Sequence, residues 1–180
     1  MWRSLRRYFK AEESIALPPS IGRQLAAIEP SICGTLRYYP CLVTLKNGSK
    51  LDRVYFVEKE AYIQQWSVLP QDDPTKDGVA ISQVFAIVES PSRLPAQFAN
   101  RLYAGPESGM GYKIFTVIFS DNFRQAFITG NAIDFIEYPL GHNPDDVIDV
   151  IDNAGRETNP MPGPKHYWCL FTGKVPDVGN

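Results

Sequence analysis

One run of residues, Tyr112 to Tyr138, constrains the fold most strongly, because its composition predicts consecutive antiparallel strands. The segments Tyr112–Ser120 and Phe123–Thr129 are rich in β-branched and aromatic residues, which favour strands. The two residues between these segments, Asp121 and Asn122, suit a tight two-residue turn. The sequence therefore predicts a β-hairpin that pairs outward from this turn.

A second turn, at Gly130 and Asn131, predicts that a third strand follows over Ala132–Tyr138. Side chains alternate between the two faces of a sheet, so the predicted register assigns each residue to one face. The expected core face comprises Phe115, Val117, Phe119, Ala126, Ile128, Ile133 and Phe135. The same register places Arg124 opposite Glu137, and a shift of one residue would exchange the two faces.

The length and composition of the chain favour a single globular α+β domain. With 180 residues, of which 44% are hydrophobic, the chain can bury a core without disulfide bonds. We expect a mostly antiparallel sheet, built from hairpins and meanders, with several short helices packed on it. Residues 1–30 are expected to form a helical N-terminal segment, and residues 173–180 a loose tail.

The Asn47-Gly48 pair is the strongest short-range hairpin signal in the chain. It lies between two strand-like segments, Cys41–Lys46 and Leu51–Glu58. A strict two-residue turn would pair apolar residues with polar ones, whereas one more loop residue would set Leu45 against Leu51. We therefore expect a bulged or longer turn.

The helical spacing of Trp2, Leu5 and Phe9 predicts a first helix, and helix-start and helix-stop residues predict three more. The expected spans are Trp2–Glu13, Ser20 as N-cap to Pro30, Pro95 to Gly105, and Asn143 as N-cap to Gly155. The first helix has a basic face, which either is solvated or contacts an anionic membrane surface or an acidic partner. In the fourth helix, Asp145, Asp149 and Asp152 would share one side, which is either a solvent face or a contact for a basic partner.

The remaining segments predict strands and loops. Val79–Val88 is apolar on both faces, as a central strand would be, and His166–Phe171 predicts a last, buried strand. Pro70–Gly78 and Asn159–Pro164 are expected to be loops, and the first of them is the best candidate for a flexible joint. The pattern of Lys59–Trp66 does not decide between strand and helix.

Charge and cysteine content limit the classes of partner and the compartment. The net charge of -2 argues against nucleic acid as the main partner, because phosphate binding needs a basic surface. The three cysteines show no C-x-x-C spacing, which favours reduced thiols. The sequence contains neither an apolar segment typical of a signal peptide nor a run of about 20 apolar residues. We therefore expect an intracellular, cytoplasmic protein without a transmembrane segment.

The sequence contains weak candidates for catalysis and metal binding, and each one fails on its context. Ser108, Asp134 and either His142 or His166 follow the order of a hydrolase triad, but no G-x-S-x-G motif surrounds the serine. His142 and the acids that follow it resemble a divalent-metal cluster, yet helix capping explains acids in a first helical turn. No glycine motif for phosphate binding is present. We therefore predict no catalytic residue, no metal and no cofactor.

The loop Gly105–Tyr112 is the candidate binding site. Its three glycines, acid, hydroxyl and methionine exceed what a helix-to-strand connection requires, and loops on rigid scaffolds often carry binding residues. The turn after the second strand is expected at the same end of the meander. The predicted site residues are Glu107, Ser108, Gly109, Gly111, Tyr112, Asn131 and Asp134. The alternative interpretation is that the glycines only permit positive φ in a tight connection.

Two functions are consistent with this site. The first is a non-enzymatic binding module whose partner is another protein or a small polar ligand, and an exposed sheet edge would also allow a homo-oligomer. The second is a small hydrolase or transferase with an acid–base site around Glu107, Asp134 and His142. A deep pocket that holds these three side chains together would favour the enzyme, and a flat, hydrated loop would favour the binding module.

Overall fold

The computed structural model of the chain describes residues 15–177, apart from the side chain of Gln71. The chain divides into two compact units. The first comprises residues 15–90 and 166–177, and the second comprises Pro91–Lys165. The single-domain organisation stays a prediction, and the helix predicted over Trp2–Glu13 lies outside the described residues.

The described residues contain three α-helices and ten strands. In chain order these are α1 (Pro19–Ala26), β1 (Ser31–Cys33), β2 (Leu36–Leu45), β3 (Lys50–Glu58), α2 (Lys59–Trp66), β4 (Asp77–Gly78), β5 (Val84–Glu89), α3 (Ala96–Ala104), β6 (Lys113–Phe119), β7 (Arg124–Thr129), β8 (Val147–Asp152), β9 (Met161–Pro162) and β10 (Tyr167–Phe171). The fold class is therefore α+β, as predicted. None of the helices within residues 15–177 has the length and apolar composition that a membrane-spanning segment requires.

Each unit is built on one mixed sheet. In the first unit, β1, β2, β3, β10 and β4 follow one another, and β5 pairs with β2. β10 runs parallel to both β3 and β4. The second unit has the strand order β8-β6-β7-β9, in which β7 and β9 are parallel. The prediction of a mostly antiparallel sheet is therefore wrong, because hairpin signals do not reveal parallel pairs between strands that are distant in sequence.

Pro40 lies in the middle of β2, where this strand changes its partner. Residues 36–38 pair with β1, whereas residues 41–45 pair with β5. Proline has no N–H to donate to a ladder, so the point between two partner strands tolerates it. Its carbonyl oxygen accepts a hydrogen bond from Ser90 N at 3.0 Å, which fixes the end of β5.

The sheet of the first unit has two chemically different faces. One face carries a largely aliphatic core, which α1 covers with Ile21 and Leu25. Its buried members from the sheet include Tyr39, Cys41, Val43, Val54, Phe56, Cys169 and Phe171. The opposite face carries the alternate positions Tyr38, Tyr55 and Trp168, and α2 packs on it. This second face is therefore aromatic.

Two of the predicted helices, α1 and α3, are confirmed. The N-cap of α1 is Pro18 rather than the expected Ser20. Segment 59–66, which the pattern left undecided, is helical because the Glu58 carboxylate accepts a hydrogen bond from Ala61 N at 2.8 Å and caps the first turn. The tail is not wholly loose, since Val175 packs against the aliphatic core.

The β2–β3 hairpin has the expected bulged turn. Leu45 N donates to Ser49 O at 2.8 Å and Gly48 N donates to Leu45 O at 2.9 Å, which closes a three-residue loop. Gly48 ends this loop with a φ of 84°, where glycine meets no steric penalty. The expected register is wrong in detail, because Val43 rather than Leu45 lies opposite Leu51.

The segment Val79–Val88, which the sequence predicted as a central strand, forms β5 only from Val84 onwards, and in the part of the chain that the structure describes β5 lies at an edge of its sheet. Residues 81–83 form a 3-10 turn before the strand. Within the described residues β5 pairs with β2 alone, and Phe85 and Val88 are exposed. The prediction of a central strand is therefore wrong, because only part of the apolar composition of this segment enters the core.

β6 and β7 form the predicted hairpin in a different register. Phe119 N donates to Phe123 O at 2.9 Å and Asn122 N donates to Phe119 O at 2.8 Å, so the loop has three residues rather than two. Asn122 closes it with a φ of 67°, a conformation that asparagine tolerates. Phe127 consequently takes the core position that the prediction gave to Ile128, and the predicted face assignment of β7 is reversed.

The third strand predicted for the meander, Ala132–Tyr138, is not present. The segment makes one isolated bridge through Phe135, although several of its apolar side chains are buried. The second neighbour of β6 is β8. Arg124 therefore lies opposite Ile118 and not opposite Glu137.

β8 occupies the middle of the segment predicted as a helix, residues 143–155. The Asn143 side chain accepts a hydrogen bond as an N-cap, but it caps only a 3-10 turn of three residues. The chain then extends, because four of the six residues of β8 are Val or Ile, which favour strands. The predicted helical row of Asp145, Asp149 and Asp152 is therefore wrong.

The segment after β8 crosses the outer face of the second sheet. Thr116 Oγ1 donates a hydrogen bond to Ala154 O at 2.9 Å. Gly155 has a φ of 100° and lies so close to the sheet that a Cβ atom there would be 2.4 Å from the Cβ atom of Ala126. The chain then reaches β9, where the sequence predicted only a loop. This crossover brings Arg156 beside the loop that follows α3.

Candidate binding site

The loop between α3 and β6 closes into a tight turn. Ser108 N donates a hydrogen bond to Tyr112 O at 3.0 Å, and Tyr112 N donates to Gly109 O at 3.3 Å. Gly111 has a φ of 76°, which glycine adopts without strain. Met110 consequently lies at the tip of the turn with 98% of its surface exposed.

Two side chains of the loop stabilise this turn. The Glu107 carboxylate accepts a hydrogen bond from Gly111 N at 3.2 Å. The Tyr112 ring packs directly on Gly109, where a Cβ atom would lie 2.2 Å from the ring. The two glycines are therefore required for different reasons: Gly109 leaves space for the Tyr112 ring, and Gly111 permits a positive φ.

Ser108 connects the loop to the sheet of the second unit. Its hydroxyl accepts a hydrogen bond from Ile114 N at 2.8 Å and donates one to Asn153 Oδ1. Asn153 N in turn donates to Ile114 O at 2.9 Å. The hydroxyl thus bonds to backbone and amide groups of β6 and of the residue after β8, which is the arrangement of a structural serine rather than of a nucleophile paired with a histidine.

Arg156 holds the loop from outside. Its guanidinium donates to Ser108 O at 3.0 Å and to the Tyr112 hydroxyl at 3.2 Å, and its Cζ lies 5.8 Å from the centroid of the tyrosine ring. The sequence interpretation missed this residue because it ended a helix at Gly155. The signal that would have found it is the β-branched composition of β8, which ends the strand near the loop.

A buried ion pair forms the base of the loop. Lys113 Nζ lies 2.9 Å from Asp152 Oδ2 and donates to Pro106 O at 2.6 Å, and the lysine side chain is only 6% exposed. Gly105 leaves the space for this pair, because a Cβ atom there would lie 2.0 Å from Asp152 Oδ2. The pair joins the first residue of β6 to the last residue of β8 and so fixes both ends of the loop.

The structure brings the second predicted turn to the same end of the sheet. A Cβ atom on Gly130 would lie 3.9 Å from Gly111 O, so the half-buried Asn131 follows a residue that neighbours the loop. Asp134 lies elsewhere: it is fully buried, and its carboxylate accepts a hydrogen bond from the Tyr103 hydroxyl. A fully buried carboxylate does not contact a partner on the surface, so Asp134 positions the C-terminal turn of α3.

The structure does not assemble the alternative acid–base site. His142 Nε2 lies 2.9 Å from Asp121 Oδ2, and its ring packs 4.4 Å from the ring of Phe119, at the far end of β6 from Glu107. The length of β6 separates these ends by about 20 Å. A hydrogen bond from Phe123 N, followed by the contact with His142, lowers the pKa of Asp121. The triad of Ser108 with His142 fails for the same reason.

Metal and thiol chemistry have little support in the described residues. Within residues 15–177, no group of three or more His, Cys, Asp or Glu side chains is placed to hold a metal ion. None of the three cysteines, all of which lie within the described residues, forms a disulfide. Cys169 is fully buried, and burial raises the pKa of its thiol, which disfavours the reactive thiolate.

Comparisons with known proteins do not place the chain in a family. No family model matches it, and neither a curated protein nor a solved structure gives a match.

Proposed function

We propose that the chain is a non-enzymatic binding module whose turn, Glu107–Tyr112, presents Met110 to an apolar pocket on a partner protein. The observation that carries this proposal is the combination of full exposure and fixed backbone at the tip of the turn. Met110 is 98% exposed, while its neighbours on both sides are held by hydrogen bonds.

The rigidity of the turn supports binding because association costs less entropy when the contacting segment is already ordered. Glu107 fixes the backbone of Gly111, and Arg156 fixes both Ser108 and Tyr112. The turn therefore keeps its shape without a partner. Six of the seven predicted site residues contribute to this surface or neighbour it, and Asp134, which is buried beside α3, does not.

The residue types at the surface also fit a protein partner. Methionine, tyrosine and arginine are enriched in the centres of protein interfaces, and here Met110, Tyr112 and Arg156 lie together. Small-molecule sites are concave, whereas a fully exposed side chain at the tip of a turn fits a concave surface on another molecule. The distance between Glu107 and His142 favours this function over the alternative hydrolase or transferase.

The test is an affinity capture from native cell extract with Met110→Glu beside the wild-type chain. Leu140→Glu is the matched control, because Leu140 is also fully exposed on a turn, the one that contains Gly141 with a φ of 84°. We expect a stoichiometric protein that wild type and Leu140→Glu retain, and that Met110→Glu binds about 30-fold more weakly or not at all. Melting temperatures of all three proteins should agree within about 2 °C.

Three results would contradict the proposal. Equal retention by Met110→Glu would show that the tip is not part of the interface. Equal loss in both variants would show that added charge, and not the position, prevents binding. A wild-type chain that retains no protein from the extract would contradict a protein partner.

A further inference from the structure

The aromatic face of the first unit contains a cluster of four rings. Tyr55 stacks on Trp168 with ring centroids 4.9 Å apart, and Tyr38 and Tyr62 meet Trp168 at 5.6 and 5.3 Å. Tyr38, Tyr55, Tyr62 and Trp168 are all buried. Because aromatic faces carry partial negative charge, such a cluster attracts a cation placed against it.

The chain places its own cation there. Lys76 Nζ lies 5.7 Å from the centroid of the Tyr62 ring and 5.8 Å from that of Trp168. The ammonium also donates to the Tyr62 hydroxyl at 3.0 Å and lies 3.3 Å from Asp73 Oδ2. Two rings and one carboxylate therefore surround the charge, which is the composition of a site for an organic cation.

The turn that precedes β4 has hydrogen bonds that do not involve the Lys76 side chain, such as those from Thr75 to Asp73 Oδ1. Lys76 precedes β4, and its own backbone donates only to Asp73 O, at 3.1 Å, among the turn contacts of the segment. Its side chain remains 30% exposed. The lysine can therefore leave the rings by rotation of its side chain, without breaking the pairing of β4 with β10.

The indole N–H of Trp168, inside the cluster, has no hydrogen-bond partner among the described residues. Trp168 is 3% exposed, so this donor is buried. A buried donor without an acceptor is costly, and native proteins rarely keep one without a reason.

We propose that this cluster is a binding site for an N-methylated ammonium group, and that Lys76 occupies the site in the free protein as an internal competitor. A methylated ammonium suits the rings better than lysine does, because it is less strongly hydrated and needs no hydrogen-bond acceptors. Asp73 balances its charge. The source of the group is either a methylated lysine of a peptide or a free quaternary ammonium compound, and both share this chemistry.

The test is a titration of the full chain with tetramethylammonium chloride, followed by tryptophan fluorescence and by NMR of the aromatic protons. We expect Lys76→Ala to bind it with a dissociation constant in the millimolar range, and wild type to bind it about tenfold more weakly, because a tethered side chain competes at millimolar effective concentration. Lys174→Ala is the control, since Lys174 is exposed in the segment after β10, and it should behave as wild type.

Two further arms separate cation recognition from simple filling of space. tert-Butanol has nearly the same shape as tetramethylammonium but no charge, so it should not bind Lys76→Ala. Tyr62→Leu in the Lys76→Ala background should lose the tetramethylammonium response, because it removes one wall of the site. A trimethyllysine peptide that binds tighter than tetramethylammonium assigns the site to a peptide, and weaker binding assigns it to a small molecule.

The proposal is overturned if Lys76→Ala binds no tighter than wild type, or if tert-butanol binds equally well. The wild-type chain provides an independent answer in case Lys76→Ala does not fold. The fluorescence change of wild type must saturate at a tetramethylammonium concentration in keeping with this weaker binding. A change that rises linearly without saturation would overturn the proposal on its own.

Discussion

The two units each contain a shielded lysine, and the two lysines are neutralised in different ways. In the second unit, Lys113 is 6% exposed and bonds to the Asp152 carboxylate and to Pro106 O. In the first unit, Lys76 is 30% exposed and lies over the rings of Tyr62 and Trp168. The charge of Lys113 is balanced by a carboxylate from another strand, whereas that of Lys76 is balanced by Asp73 of the same loop and by the faces of two rings.

This difference separates a structural lysine from a replaceable one. Asp152 lies 39 positions from Lys113, so their pair joins two strands, and removal of the lysine would leave the partly buried Asp152 carboxylate without its cation. Asp73 lies three positions before Lys76 in the same loop, and the rings carry no net charge. Removal of Lys76 therefore leaves no uncompensated charge in the interior.

The largest effect is expected from Lys113→Met. The substitution leaves the Asp152 carboxylate without its cation, and Asp152 Oδ1 has no hydrogen-bond partner in the described residues. We expect the free energy of unfolding to fall by about 2 to 4 kcal/mol, less than for a fully buried pair because Asp152 is 29% exposed. Urea unfolding at pH 7 measures this change.

The double variant Lys113→Met/Asp152→Leu is the control for that result. Two apolar side chains leave no unpaired charge, so the double variant should recover at least half of the lost stability. A single variant within about 0.5 kcal/mol of wild type would contradict the structural role of the pair.

A smaller effect is expected from Lys76→Met. Methionine keeps the aliphatic part of the side chain and loses the cation–π contacts, the hydrogen bond to Tyr62 and the partly exposed ion pair with Asp73, so the free energy of unfolding should fall by about 0.5 to 1 kcal/mol. The same urea experiment measures the change. A loss as large as that of Lys113→Met would erase the distinction between the two lysines and would show that Lys76 is structural.

The hairpins show how far local sequence signals predict this fold. Both hairpins were located correctly, and both close with the same three-residue pattern, which ends in a positive φ at Gly48 in one and at Asn122 in the other. The Asn47-Gly48 pair led to the bulged turn because a two-residue turn gave a poor apolar register. At Asp121 and Asn122, a two-residue loop and a three-residue loop both give an apolar face, so the hydrophobic pattern did not distinguish between these two registers.

The misassigned helix has a local physical cause. A bulge in β8 inserts Ile148 into the ladder, so Val147 and Val150 lie on the same side of a strand although they are three positions apart. That spacing is also the spacing of a helix face, and the N-cap at Asn143 strengthened the wrong interpretation. The β-branched composition favoured the strand and was the more reliable signal.

The candidate site was only partly predictable from the sequence. The dense glycines and the acid identified the turn, because they report local backbone geometry. The residues that hold it, Arg156, Asn153 and the Lys113–Asp152 pair, come from segments whose places depend on the sheet order. The aromatic face was missed because parallel pairing of β10 brings Trp168 beside Tyr55 from a distant part of the chain.

The smallest effect on stability is expected at a third cation, Arg101, because its ion pair is exposed. Its guanidinium donates to Asp149 Oδ1, and the two side chains are about half exposed. This hydrogen bond, followed by one from Val150 N, holds the pKa of Asp149 below its ordinary value of 3.8. The stability that Asp149 contributes is therefore present above about pH 4 and is lost as the pH falls through the lowered pKa.

Arg101→Met should consequently raise the pKa of Asp149 towards its ordinary value and flatten the loss of stability between about pH 5 and pH 2. At pH 7 the melting temperature should stay within about 2 °C of wild type, because exposed pairs contribute little. A carbon-detected NMR titration of the Asp149 carboxyl measures the first effect, with Arg23→Met, an exposed arginine of α1, as the control. An unchanged pKa in Arg101→Met would show that the Val150 amide alone lowers it, and a large fall in melting temperature would place Arg101 with Lys113 among the structural cations.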